Sequence, residues 1–195
     1  AINHNYDIVV GANTDLDSGM AYLFTRSGSL WTRAKSFSPP GNRNDIEFGY
    51  SVDIDGDEIV VGAPGRDDQP GSVYVYIKNE TQWQSTILSA SDGSNNDQFG
   101  ISVARSNDMV LVGASRALST SGDAVGATYV FSRNGSNWVA QDTIRVPDGR
   151  NNDQFGISVA LNEYISLIGS IGANNDTGAV LVSSFEPTNP PSSLP

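Results

Sequence analysis

The sequence predicts an all-β protein assembled from a repeated four-stranded unit, and three observations predict it. The first is a motif that returns about every fifty residues, a period typical of repeat architectures. Asp97-Gln98-Phe99-Gly100-Ile101-Ser102-Val103-Ala104 recurs unchanged at Asp153-Gln154-Phe155-Gly156-Ile157-Ser158-Val159-Ala160, with a looser copy at Ile46-Glu47-Phe48-Gly49-Tyr50-Ser51-Val52-Asp53. The second is that further landmarks keep one order after each copy. The third is that the landmark segments are β-branched and aromatic, bounded by Gly, Asn and Asp, and too short for helices.

Each landmark reads as one strand. The Phe-Gly segment opens the first. The second is Val60-Val61-Gly62-Ala63-Pro64, matched by Leu111-Val112-Gly113-Ala114-Ser115, Leu167-Ile168-Gly169-Ser170 and, early in the chain, Val9-Val10-Gly11-Ala12-Asn13. The third is Gly71-Ser72-Val73-Tyr74-Val75-Tyr76, with counterparts starting at Gly19, Gly126 and Gly178. The fourth is led by Trp31, Trp83 or Trp138. Asp55-Gly56 and Asn107-Asp108 supply hairpin turns between first and second strands; Ser27-Gly28, Asn79-Glu80 and Asn134-Gly135 supply them between third and fourth. Four antiparallel strands in a repeat of this length make one blade of a β-propeller, with a solenoid of β-hairpins as the structural rival.

Composition removes several function classes. With 22 acidic residues against 11 basic ones the net charge is −11, and no basic cluster occurs, which argues against nucleic acid as a partner. Cysteine is absent, so disulfides and thiolate metal sites are not available. No apolar run approaches the roughly 20 residues of a membrane span, and the N-terminus, Ala1-Ile2-Asn3-His4-Asn5, reads as a mature or trimmed start rather than a signal peptide. His4 is the only histidine and no nucleophile, phosphate-loop or metallohydrolase pattern is present, so no catalytic residue is assigned.

Phe-Gly followed in the next strand by Gly-Ala-Pro resembles the FG-GAP repeat, found in the propeller head of integrin α subunits and in many microbial surface proteins. Phe48-Gly49 with Gly62-Ala63-Pro64 matches both halves; Phe99-Gly100 with Gly113-Ala114-Ser115, and Phe155-Gly156 with Gly169-Ser170, match the first half fully and the second loosely. The resemblance extends to about Phe185. It implies a propeller, an extracellular or cell-surface location, and a role in adhesion or assembly with other protein chains as partners. It names no ligand, because the loops that bind partners vary within such folds.

The repeated residues have packing roles on physical grounds. Phe48, Phe99 and Phe155 are expected to wedge between neighbouring blades, and Gly49, Gly100 and Gly156 to let backbone approach backbone near the centre. Gly62, Gly113 and Gly169 are assigned to a tight bend or a positive φ at the end of a strand. Trp31, Trp83 and Trp138 are assigned to partly buried outer packing rather than to a sugar-stacking platform.

Oxygen-rich loops make Ca²⁺ the one candidate cofactor, because some integrin blades hold it between their first two strands. Asp53-Ile54-Asp55-Gly56-Asp57 looks like the start of such a loop, but it is short and a simple hairpin is the better reading. The loops between second and third strands carry Asp15 and Asp17, Asp67 and Asp68, and Asn174-Asn175-Asp176; those before each Phe-Gly run 42–45, 92–97 and 148–153. Asx-turns account for such runs without an ion. Asn79, Asn134 and Asn175 head Asn-x-Ser/Thr sequons and are the candidate glycosylation sites.

The repeats are expected at about 1–45, 46–97, 98–153 and 154–186, followed by a Pro-rich linker or arm at 187–195. The first lacks most of an inner strand and the last has no Trp-led strand, giving about four blades with both end blades incomplete. Such an array is an excerpt of a larger propeller, is completed by strands from neighbouring chains in an oligomer or filament, or closes as a compact four-bladed ring; the first two are favoured. The sequence therefore reads as a non-catalytic extracellular adhesion or structural module, with a lectin-like propeller that binds glycans through loop Asp and Asn as the alternative.

Overall fold

The computed structural model describes residues 1–41, 46–65, 69–163 and 165–185. These residues form four antiparallel sheets, each a meander whose strands neighbour one another in chain order. The first contains β1 (Ile8–Ala12), β2 (Met20–Ser27) and β3 (Leu30–Phe37); the second contains β4 (Ser51–Asp55), β5 (Glu58–Ala63), β6 (Ser72–Asn79) and β7 (Gln82–Leu88). The third contains β8 (Phe99–Ser106), β9 (Met109–Ala114), β10 (Ala127–Asn134) and β11 (Asn137–Ile144); the fourth contains β12 (Ser158–Asn162), β13 (Ile165–Ser170) and β14 (Ala179–Ser184).

The sheets are propeller blades rather than turns of a solenoid. In a solenoid, backbone pairing would run on from one repeat to the next. Here one parallel bridge marks each seam: Gly19 to Phe48, Gly71 to Phe99 and Gly126 to Phe155. The inner strands β4, β8 and β12 lie side by side, with β1 against β4. Among the described residues no strand pairing joins the first sheet to the fourth, so the array is open and the compact closed ring is not formed.

The two end blades differ from the middle pair in opposite ways. In the first, Ala1 and Val9 exchange backbone hydrogen bonds at 3.0 Å and Ile2 bridges Ile8, which leaves only a stub of inner strand. The fourth has β12, β13 and β14 but no outer strand among its described residues.

The core lies between blades. Val9, Leu23 and Phe37 of the first blade meet Phe48, Ile59, Val61 and Tyr74 of the second. Val60, Val73, Val75 and Leu88 of the second meet Phe99, Val110, Val112 and Tyr129 of the third. Ile59, Val60 and Val61 are all fully buried because β5 is covered on both faces, which explains its uninterrupted apolar run. Each such side chain contributes about 1.5–3 kcal/mol.

Candidate functional site

The seam between the second and third blades shows how the repeated residues work. Phe99 donates its backbone N–H to the Pro70 carbonyl at 3.0 Å and turns its ring back onto its own blade, 5.3 Å from Tyr129 and 6.1 Å from Phe131. Phe48 repeats this against Tyr74 and Tyr76, with its N–H on Ser18. Phe48, Phe99 and Phe155 are all fully buried where two blades meet. Gly49, Gly100 and Gly156, which follow them, have φ of +90°, +96° and +85°.

Gly62 and Gly113 are glycine for a reason other than the positive φ expected of them, since neither lies in the left-handed region. A Cβ on Gly62 would sit 3.1 Å from the carbonyl carbon of Gly100 on the next blade, and closer still to its oxygen. That oxygen also accepts the Ser51 hydroxyl at 2.8 Å, and Ser102 does the same for Gly156 at the next seam. The second-strand glycine therefore marks where the neighbouring blade's backbone touches down.

On the hairpin face between first and second strands, the third blade reaches into the second. Arg105 donates its backbone N–H to the Asp53 carboxylate at 2.7 Å and its guanidinium to Asp55 and Glu58, each at 2.6 Å. Arg133 joins from β10, contacting Glu58 and, at 3.1 Å, Asp108. Burial pushes the Asp53 carboxyl above its usual range, against the N–H donors of Arg105 and Ile54. Asp53 is thus taken up by backbone N–H groups and Asp55 by the Arg105 guanidinium, and Asp57 is exposed. In the other candidate metal loops, Asp15 accepts the Tyr22 hydroxyl; Asp67, Asp68 and the side chain of Asp17 lie outside the described residues. Among the described residues no three of His, Cys, Asp or Glu are grouped as a metal ion would require.

The opposite face is built from the two loop families that precede each Phe-Gly and link second to third strands. Loops 92–97 and 148–153 share one geometry. Asp97 accepts the Ser94 N–H and Asp153 the Arg150 N–H, each at 2.7 Å, while Asn96 and Asn152 both take φ of +69°. The backbone carbonyls of the two aspartates accept the N–H groups of Arg116 and Gly172, which lock each loop to its neighbour. Tyr129 donates to Asp92 at 2.9 Å, and Arg145 donates to the same carboxylate at 2.6 Å. Desolvation pushes Asp92 upward, but these two donors outweigh it and hold the carboxyl below its ordinary value. A cleft of about 540 Å³ opens on this face at the last seam, lined by Val146, Asp148, Arg150, Phe155, Asn174 and Leu181.

The seam pattern has a match among known repeats: a family model described as FG-GAP repeat matches residues 31–76, 83–131 and 138–182. The chain belongs to the FG-GAP repeat family. It is also 31% identical over 130 residues to integrin alpha-6 of Gallus gallus, a match covering 59% of this chain and 12% of that relative. The chain thus corresponds to a small part of the relative's length. Each matched FG-GAP segment begins at a Trp and runs from the fourth strand of one blade to the third strand of the next, so each unit straddles a seam.

Within that FG-GAP frame the outer residues fall into place. Arg26, Lys78 and Arg133 pair across the hairpin with Trp31, Trp83 and Trp138. The Arg133 guanidinium lies 4.6 Å from the Trp138 ring centre. Trp83 meets Phe37 of the preceding blade edge-on at 5.0 Å, whereas Trp31 is 39% exposed and lies 5.9 Å from the Arg26 guanidinium. Asn79 and Asn134 close equivalent third-to-fourth-strand hairpins and are exposed, as is Asn175, whose side-chain carbonyl accepts Arg150 at 2.9 Å. Sequence reasoning missed the Arg105 network. Its signal was a charged residue standing where Ile54 and Leu161 stand in the adjacent repeats.

Proposed function

We propose that this chain is a non-catalytic extracellular adhesion and assembly module that binds partner proteins through its loop face. The observation that supports it is the pairing of exposed, oxygen-rich loops with a backbone-locked base: Asp97 and Asp153 fix the loops from below while their outer residues stay exposed. Surface loops on a rigid scaffold are where binding function concentrates. The likeness to integrin alpha-6 supports the adhesive and cell-surface reading. A second reading, glycan binding, draws on the cleft at the last seam, where Asp148, Arg150 and Asn174 stand beside the exposed apolar side chains of Val180 and Leu181. Polar groups over an apolar platform suit a sugar ring.

Immobilised chain screened against arrays of cell-surface ectodomains and glycans, with and without a calcium chelator, tests both readings. Protein ligands lost on Asp148→Ala with Arg150→Ala support the adhesion reading, and glycan signals lost with the same pair support the second. Chelator sensitivity would assign Ca²⁺ a role in the loops. Binding to neither array refutes both. Mass measurement before and after deglycosylation of secreted protein tests glycans at Asn79, Asn134 and Asn175.

A further inference from the structure

On the loop face, the third blade departs from the repeat in two adjacent residues. The carbonyls of Ile46, Asp97 and Asp153 accept the N–H groups of Gly65, Arg116 and Gly172, so these three occupy one position in successive blades. Arg116 is therefore an arginine where both neighbours carry glycine, and Ser115 precedes it where they carry Pro64 and Ile171. The loop that follows, between β9 and β10, is the longest of the four that link second to third strands. Blade packing does not require the pair, since the other seams form without it.

Those two residues line a cavity of about 240 Å³ between the third and fourth blades, together with Gln98, Ala124, Asn152 and Gln154. It shares no lining residue with the larger cleft at this seam. Its walls are tied together: the Ala124 N–H donates to Asn151 Oδ1 at 3.1 Å, and the Asn152 N–H to the Ala124 carbonyl at 2.9 Å. Ser115 is 1% exposed and donates its hydroxyl to Gln98 Oε1 at 2.8 Å, which fixes that amide and leaves its NH₂ group unspent. Among the described residues the side-chain amides of Asn152 and Gln154 have no hydrogen-bond partner, and the Arg116 guanidinium meets no carboxylate. No acidic side chain lines the cavity, in a chain whose net charge is −11. Gln98, Asn152 and Gln154 hold φ of +60°, +69° and +54°. Glycine takes that conformation without strain, so these side chains are kept at a cost.

We propose that this cavity binds the carboxylate of an aspartate or glutamate side chain on a partner protein. The proposal rests on the loop face being the binding face and names the chemistry recognised there. An arginine fork takes a carboxylate through two parallel N–H···O bonds, and the amides of Gln98, Asn152 and Gln154 supply donors for the lone pairs that remain. A cation has no place in the cavity, because it would face a guanidinium with no carboxylate to offset it. The acidic remainder of the chain repels partners of like charge, so an acidic side chain finds complementary charge at Arg116 and is held in one register.

The test is a nuclear magnetic resonance titration of the isotopically labelled full chain with N-acetyl-aspartyl amide. The asparaginyl analogue serves as the neutral control, and N-acetylneuraminic acid as an acidic sugar. The aspartyl probe should shift the side-chain amide signals of Gln98, Asn152 and Gln154 and the Nε–H of Arg116, with a dissociation constant on the order of millimolar. Arg116→Gln, at an exposed position, should weaken it at least about tenfold. Gln154→Gly should weaken binding yet leave the melting temperature unchanged or higher, because it releases a left-handed backbone; a merely structural role would lower both. Absence of shifts with the aspartyl probe, equal shifts with the asparaginyl one, full affinity in Arg116→Gln, or a response to the sugar alone overturns the proposal. The ectodomain array separates it from the wider reading. A protein ligand held equally by the parent and by Arg116→Gln overturns the carboxylate site and leaves adhesion standing. A blank array beside a saturable aspartyl response does the reverse.

Discussion

Alanine placed at one repeat position should have unequal consequences in different blades. At Gly62 the new methyl group would collide with the Gly100 carbonyl, and the seam must open by about an ångström to admit it. Overpacking of this kind costs about 1–3 kcal/mol. The Ser51 bond to Gly100 is lost as the blades part, adding about 1 kcal/mol. Relief of glycine's conformational entropy returns about 0.5–1 kcal/mol. The net loss for Gly62→Ala is therefore about 1–3.5 kcal/mol, which at about 2–4 °C per kcal/mol lowers the melting temperature by roughly 2–14 °C. Gly169→Ala meets only the Ser158 side chain of its own blade, which can rotate away, so stability should stay within about 1 kcal/mol of the parent. Thermal unfolding followed by circular dichroism on the two variants side by side decides the matter. Equal losses would show that both glycines serve the local backbone and would refute the blade-contact argument.

Two further outcomes follow from the charged groups. Arg105→Leu removes a guanidinium that is only 8% exposed, takes from Asp55 its cation and leaves Glu58 with Arg133 alone, so a loss of about 1–3 kcal/mol in denaturant unfolding is expected. Glu58→Met, the residue that the third blade carries as Met109, should cost less in that background than in the parent, and strict additivity in the double-mutant cycle would count against a direct coupling. Asp97 is buried, with its Oδ1 unpartnered, and burial raises its folded-state pKa above the ordinary carboxylate value. A raised acid pKa means that the folded form holds its proton more tightly, so the contribution is present below the unfolded value and is lost as pH climbs through the folded one. The stability of Asp97→Asn relative to the parent should therefore rise between about pH 3 and about pH 7. Melting curves across that interval test the sign, and a falling difference would refute it.

The repeat made most of the fold legible. The order Phe-Gly, Val-Val-Gly-Ala, Gly-x-x-Tyr and Trp reports strand order directly, because each strand buries its own pattern against a neighbouring blade. The turn chemistry placed Asn79 and Asn134 on matching hairpins for the same reason. The incomplete end blades were also readable, since a missing Phe-Gly or Trp is a missing strand. Less legible was why Gly62 must be glycine, because a close approach between residues 38 positions apart in the chain leaves no local trace. The acidic hairpin around Asp53 likewise reads alone as a cluster of oxygens, and only the arrival of Arg105 from the next blade shows what those carboxylates face.

By itself, then, the sequence determined the blade as a unit, since strand periodicity and turn residues are local properties that each repeat states afresh. Tertiary structure alone decided how one blade meets the next. The seam is made of backbone carbonyls over glycines and of ion pairs between repeats, and these depend on distances across the array. That is why Ser115 and Arg116 look like any loop residues in the sequence and stand out only beside Pro64-Gly65 and Ile171-Gly172, which hold their places in the adjacent blades.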